Sequence, residues 1–126
     1  MRNIILLLII LFLNINGLCQ KSENTFTVIF YNTENLYDTI DSREIDDKAY
    51  TPAGIRKWNS EKYRKKINDL SEVISSVNGS ELPEIIGLAG IENTRVLQDL
   101  VRHNNLIKGN YGIIHKDGPD PDGLDV

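Results

Sequence analysis

Thr25-Phe26-Thr27-Val28-Ile29-Phe30-Tyr31-Asn32-Thr33-Glu34-Asn35-Leu36-Tyr37-Asp38 is the stretch that decides the fold. Every residue from Thr25 to Tyr31 is β-branched or aromatic, which predicts a buried strand at the centre of a sheet. From Asn32 onward the side chains turn abruptly to amides and carboxylates, so polar groups gather where the strand leaves the core. Open α/β sheets bind ligands at that rim. Asn32 is therefore the first candidate site residue, although an asparagine at a strand end can also be a simple turn former.

Working outward, Asp38 to Trp58 contains Pro52 and Gly54 and keeps no sustained period, which predicts a long loop, functional or mobile. Asn59 or Ser60 can cap a helix whose apolar stripe is Tyr63, Ile67, Leu70, Ile74 and Val77, ending near Asn78-Gly79. Ile85-Ile86-Gly87-Leu88-Ala89 is a continuous apolar run, expected as a strand covered on both faces. A second helix is predicted from Asn93 or Thr94, burying Val96, Leu97, Leu100 and Val101. Tyr111 to His115 reads as a third strand, Lys116 to Gly123 as a turn-rich loop, and Leu124-Asp125-Val126 as the start of a fourth. A strand only begun leaves its backbone groups unpaired, so half a domain is expected.

The chain has 126 residues, of which 40% are hydrophobic and 25% charged, enough for at most one modest domain. Met1-Arg2-Asn3, the apolar run Ile4 to Leu13 and the polar Asn14 to Gln20 have the layout of a secretory signal peptide, residues 1–19. The apolar run is too short for a stable membrane span. Cleavage after Cys19 would leave residues 20–126 as a secreted or periplasmic domain without cysteine, stabilised by packing alone. A lipoprotein anchored at Cys19 is the alternative. The formal charge is −4, and loss of Arg2 with the signal leaves 13 basic against 18 acidic residues, or −5. That balance argues against bulk adhesion to DNA or anionic lipid and suits a site that gathers cations.

If the two strands pair in parallel, Asn32-Thr33-Glu34-Asn35 and Glu92-Asn93 meet at one rim. An amide and a carboxylate there could hold a hydrated Mg²⁺, leaving waters for a phosphate to replace. At this point the sequence resembles the endonuclease/exonuclease/phosphatase superfamily, the group with the deoxyribonuclease-I-like fold, and within it the secreted bacterial branch. The motifs are Asn32-Thr33-Glu34-Asn35-Leu36-Tyr37-Asp38, Thr51-Pro52-Ala53-Gly54 with Trp58, and Tyr63-Arg64-Lys65-Lys66. Next come Ile85-Ile86-Gly87-Leu88-Ala89-Gly90-Ile91-Glu92-Asn93 and Gly118-Pro119-Asp120-Pro121-Asp122-Gly123-Leu124-Asp125-Val126.

The resemblance implies an α/β fold, the N-terminal half of a four-layer sandwich, and a hydrolase of phosphodiesters or phosphomonoesters that depends on Mg²⁺ or Mn²⁺. It places Asn32 in the catalytic metal and phosphate pocket and Glu92 at the accessory glutamate, and it puts a general-base His with its Asp partners on later strands. Nucleic acid, a nucleotide or a phospholipid head group are the substrate classes it leaves open. Two positions depart from the pattern. Gly90 stands where the metal-binding glutamate belongs, and Asp122 where an arginine is usual, so an acid there would repel a phosphate. Little activity is expected of this chain alone; the alternative is a non-catalytic secreted binding module.

Other features have plain readings. Glu92 before Asn93 and Thr94 suits an acidic helix start. Tyr63-Arg64-Lys65-Lys66 suits a solvated helix face with Tyr63 packed inward. His103 and His115 have no partner at ligand spacing, and the acidic loop Asp117 to Asp125 lacks EF-hand spacing.

Overall fold

A computed structural model describes residues 26–126. The expected signal segment, its cleavage site and Cys19 lie outside the described residues. Strand β1 (Val28–Leu36), helix α1 (Ser60–Ser76), strand β2 (Ile85–Ile91) and helix α2 (Thr94–Val101) follow in that order, forming a small α/β unit. β1 and β2 pair in parallel, Val28 opposite Ile85 through Asn32 opposite Ala89, and after an irregularity Leu36 lies opposite Ile91.

Both helices start where the sequence places a cap. Asn59 Oδ1 accepts from the Lys62 N–H at the head of α1, and Asn93 Oδ1 accepts from the Val96 N–H at the head of α2. Each bond satisfies a donor the helix cannot. α1 turns Ile67, Leu70 and Ile74 toward α2's Val96 and Leu100, and Leu36, Ile91 and Leu106 complete the core. Ile29, Ile86 and Leu88 pack against it from the sheet, two residues apart on β2, as the period of a strand requires. Val77, read as the end of the α1 stripe, is instead half exposed, beyond the last helical turn.

Three expectations need correction. The buried central strand is an open one: it begins at Val28, and Val28 and Phe30 are 59% and 68% exposed. Hydrophobicity foretold a strand, but burial needs layers on both faces, and among the described residues only the face bearing Ile29 is covered. The same holds for β2, where Ile85 is half exposed. Tyr111 to His115 forms no ladder: an apolar recess of about 590 Å³ opens between it and β2, lined by Gly87, Leu88 and Ile113, and Ile114 faces solvent. The start of a fourth strand does appear, as a single antiparallel bridge from Asp125 to Ile91.

The loop from Asp38 to Trp58 is packed. Tyr37 and Tyr50 stack at 3.9 Å, Trp58 meets Tyr50 edge-on, and its indole N–H donates to the Tyr37 carbonyl at 3.0 Å. Arg56 lies 4.7 Å over the Tyr50 ring. The Tyr37 hydroxyl donates to the Asp122 carbonyl at 3.0 Å, and burial pushes its pKa up to about 12, so it remains a donor. Among the described residues no helix is long and apolar enough to cross a membrane.

Candidate active-site rim

Parallel pairing brings the two polar elbows to the same end of the sheet. β1 does not stop at Tyr31; it continues through a distorted segment in which Glu34 and Asn35 take left-handed φ values of 52° and 67°. Asn tolerates that region better than most side chains. The distortion is held by side chains: Asn32 Oδ1 accepts the Glu34 N–H at 2.9 Å, and the Thr33 hydroxyl lies 2.7 Å from the Gly90 carbonyl and 3.0 Å from that of Ala89. Lys66, reaching over from α1, donates to the Glu34 and Asn35 carbonyls at 2.6 and 3.0 Å. Burial lowers its pKa, and the nearby Glu34 carboxylate opposes that change. Nothing local in the sequence marks this strap; Lys66 looks like its solvated neighbours until the tertiary fold sets it beside β1.

Gly90 has φ +78°, and a Cβ built there would stand 3.4 Å from Asn32 Oδ1, 3.3 Å from the Thr33 hydroxyl and 3.1 Å from the Asn35 N–H. Position 90 thus points into the elbow formed by Asn32, Thr33 and Asn35, and in this chain it presents no side chain.

Glu92 begins the second elbow but faces inward. Its N–H donates to the Leu36 carbonyl at 3.2 Å, and its Oε2 accepts the Asp38 N–H at 2.6 Å, so the two elbows are tied by backbone and side chain together. The residue is 6% exposed, and burial raises its pKa to about 7, helped by the Asp38 and Asp47 carboxylates and resisted by the Asp38 N–H bond. Asp47 in turn accepts the Ser42 N–H with both oxygens at 3.1 Å, and Asp38 accepts from the Ile40 N–H and the Asn93 amide. Three buried carboxyls thereby organise the start of the long loop. Asn32 and Glu92 share the rim; the amide is on its strand side, and the carboxyl is turned onto the loop.

A recess of about 400 Å³ opens beside Asn32, lined by Glu34, Trp58, Lys62, Lys65 and Lys66 among others. Lys62 donates to the Arg56 carbonyl and Lys65 to Asp69, each leaving donors of its ammonium group free. Three lysines thus stand against the Glu34 and Asp69 carboxylates, one of them paired, which leaves the recess weakly positive and able to take an anion despite the chain's negative balance.

The sequence model of the endonuclease/exonuclease/phosphatase family matches residues 27–126. The chain belongs to that family. No curated protein and no solved structure matches it. Membership makes the chain kin to phosphoester hydrolases, a family that is typically metal-dependent, and turns attention to how well this rim suits a metal. The Asn32 amide oxygen is a hard donor of the kind Mg²⁺ takes, but it is a single neutral atom already holding the Glu34 N–H. Position 90 adds nothing, and the Glu92 carboxyl is engaged behind the rim. These residues fit a hydrated ion that arrives with a phosphate and takes the rest of its shell from that phosphate and water.

Proposed function

We propose that the chain carries the Asn32 end of a phosphoester-hydrolase site, within part of a four-layer α/β sandwich, and turns over substrate poorly by itself. The observation behind this reading is what meets at the Asn32 elbow: parallel register sets Asn32 beside β2, position 90 points into the elbow, and a recess with three lysines adjoins it. Asn32 would donate its amide N–H to a non-bridging phosphate oxygen while its Oδ1 keeps the turn rigid, so the donor is positioned before substrate arrives. Lys62 and Lys65 would neutralise a second phosphate oxygen, and Lys66 would hold the elbow in place from beneath. Mg²⁺ or Mn²⁺, held by Asn32 and assisted through water by Glu92, would supply Lewis-acid stabilisation of charge on the phosphoryl oxygens. Because Glu92 favours its neutral form below about pH 7, its charge is offered only above that pH.

The test is calorimetric binding of inorganic phosphate with and without Mg²⁺, beside turnover of a nitrophenyl phosphodiester and phosphomonoester. Mg²⁺ should tighten phosphate binding in the wild-type chain, and Asn32→Ala should weaken it. Phosphate binding that ignores both the ion and Asn32→Ala would overturn the proposal. Turnover restored by Gly90→Glu alone would refute the expectation of low activity.

A further inference from the structure

His115, Asp117 and Asp125 are brought together at the end of β2, away from the cationic recess, and the function proposed above uses none of them. One ligand atom from each lies within 4.8 Å of the other two. The sequence separates His115 from Asp125 by a loop, so their pairing shows only after Asp125 bridges back onto β2. There its N–H donates to the Ile91 carbonyl at 2.7 Å, and its carbonyl accepts the Gly90 and Ile91 N–H groups at 2.9 and 3.2 Å.

The independent observation is the imidazole itself. The His115 side chain is 6% exposed, and its Nε2 is buried without a hydrogen-bond partner. Asp125 Oδ2 lies 3.2 Å away, close enough for an ion pair but misaligned for a hydrogen bond, with its own side chain 4% exposed. Asp125 Oδ1 is fixed by the Gly118 N–H at 2.6 Å, which leaves Oδ2 turned to the ring. On the ring's other side Nδ1 faces the Thr94 hydroxyl at 3.3 Å. A proton on Nδ1 donated to Thr94 leaves the Nε2 lone pair facing a carboxylate oxygen, an arrangement that repels unless a cation sits between them. Two donors about 2.0–2.1 Å from a tetrahedral ion are about 3.3 Å apart, the spacing found here. A ligating histidine ordinarily has an outer hydrogen-bond acceptor on its other nitrogen, and the Thr94 hydroxyl takes that place here.

The geometry points to a divalent transition-metal site of the Zn²⁺ type, with His115 Nε2 and Asp125 Oδ2 as fixed ligands. Asp117, whose side chain is 92% exposed and whose Oδ1 here lies 3.8 Å from the ring's Nδ1, must swing round to the Nε2 side to become the third. One imidazole with two carboxylates selects Zn²⁺, Co²⁺ or Mn²⁺ over Ca²⁺, and water completes the shell. The site clips the Lys116–Gly123 loop to the end of β2, beside Gly90.

The probe is Co²⁺, read by its visible absorption, with Zn²⁺ competing, in a Cys19→Ser chain so that no thiol contributes. One equivalent of Co²⁺ should give a tetrahedral spectrum that Zn²⁺ bleaches. His115→Gln should abolish it, Asp117→Asn should weaken binding without moving the metal-free melting temperature, and Thr94→Val should cost roughly tenfold in affinity. Absence of stoichiometric binding in the folded wild-type chain, or a spectrum unchanged in both His115→Gln and Asp117→Asn, would overturn the site. Phosphate binding at Asn32 is read separately and survives His115→Gln, so this site and the proposed function fail independently.

Discussion

Replacing Glu92 by Gln should stabilise the protein at pH 8 and remove part of its pH dependence. The carboxyl is 6% exposed, sits beside Asp38 and Asp47, and titrates at about 7 in place of its ordinary 4.5. A folded-state pKa raised above the unfolded one means that folding favours the protonated form. The contribution is therefore fully present below pH 4.5 and is lost as pH climbs through about 7. The difference between those pKa values corresponds to about 3 kcal/mol, a large share of a small domain's stability. Gln keeps what the neutral acid provides: its amide oxygen accepts the Asp38 N–H, and its amide N–H donates toward the Asp47 carboxylate.

The assay is urea unfolding followed by Trp58 fluorescence and far-ultraviolet circular dichroism at pH 5, 6, 7 and 8, for wild type and Glu92→Gln in parallel. Both chains share the histidines and the remaining acids, so the difference between their stabilities at each pH isolates Glu92. That difference should be small at pH 5 and grow to about 2–3 kcal/mol in favour of Gln by pH 8. A Gln variant that is less stable than wild type at pH 8, or a difference that does not change with pH, would refute the reasoning. Either result would mean that Glu92 is held as an anion and that the loop supplies a cationic partner not accounted for.

Gly90→Glu should lower stability by about 1–2 kcal/mol, because a non-glycine residue at φ +78° is strained and its Cβ crowds the Asn35 N–H; the urea midpoint reads this. Asn93→Ala should cost about 1 kcal/mol by uncapping α2, with Asn93→Gly costing less. Trp58→Phe should cost about 1 kcal/mol through the hydrogen bond to the Tyr37 carbonyl and loosen the long loop, seen as faster proteolysis between Asp38 and Trp58. Tyr63→Phe should destabilise by about 2 kcal/mol, since it removes a hydroxyl that donates to the Asp99 carboxylate at 2.7 Å between α1 and α2.

Local periodicity made the order of the first two strands and both helices legible, and cap chemistry placed each helix start to within one residue. Asn59 and Asn93 each precede an apolar stripe, and each accepts the N–H that the rule assigns it. The parallel pairing of β1 and β2, a condition the sequence left open, is met by two strands joined through one crossover helix. Burial did not follow, because it depends on neighbours: Phe30 is as hydrophobic as any core residue, yet among the described residues nothing covers its face of the sheet. The long loop misled for the opposite reason. Its composition is that of a mobile segment, while Tyr37, Tyr50 and Trp58, distant from one another in sequence, stack to hold it.

The rim shows the same division between composition and placement. Asn32 could be singled out because a polar cluster interrupts a strand, a signal carried by neighbouring residues. What Glu92 does could not be read that way, since its partner is a backbone N–H 54 positions earlier and its protonation is set by acids that the fold gathers around it. Lys66 and His115 were hidden likewise, the one by looking like every other helix-surface lysine, the other because its carboxylate lies across a loop. The consequence for function is specific. At position 90 the fold points a side-chain direction into the Asn32–Asn35 elbow that this chain leaves empty, the buried Glu92 carboxyl gains its charge only as pH passes about 7, and of the two carboxylates lining the recess, Glu34 and Asp69, the second is paired with Lys65, so the three lysines outweigh the acids. A rim built this way attracts the phosphate first and leaves the metal to follow, so Mg²⁺ affinity in the absence of phosphate should be weak and should rise when phosphate is bound.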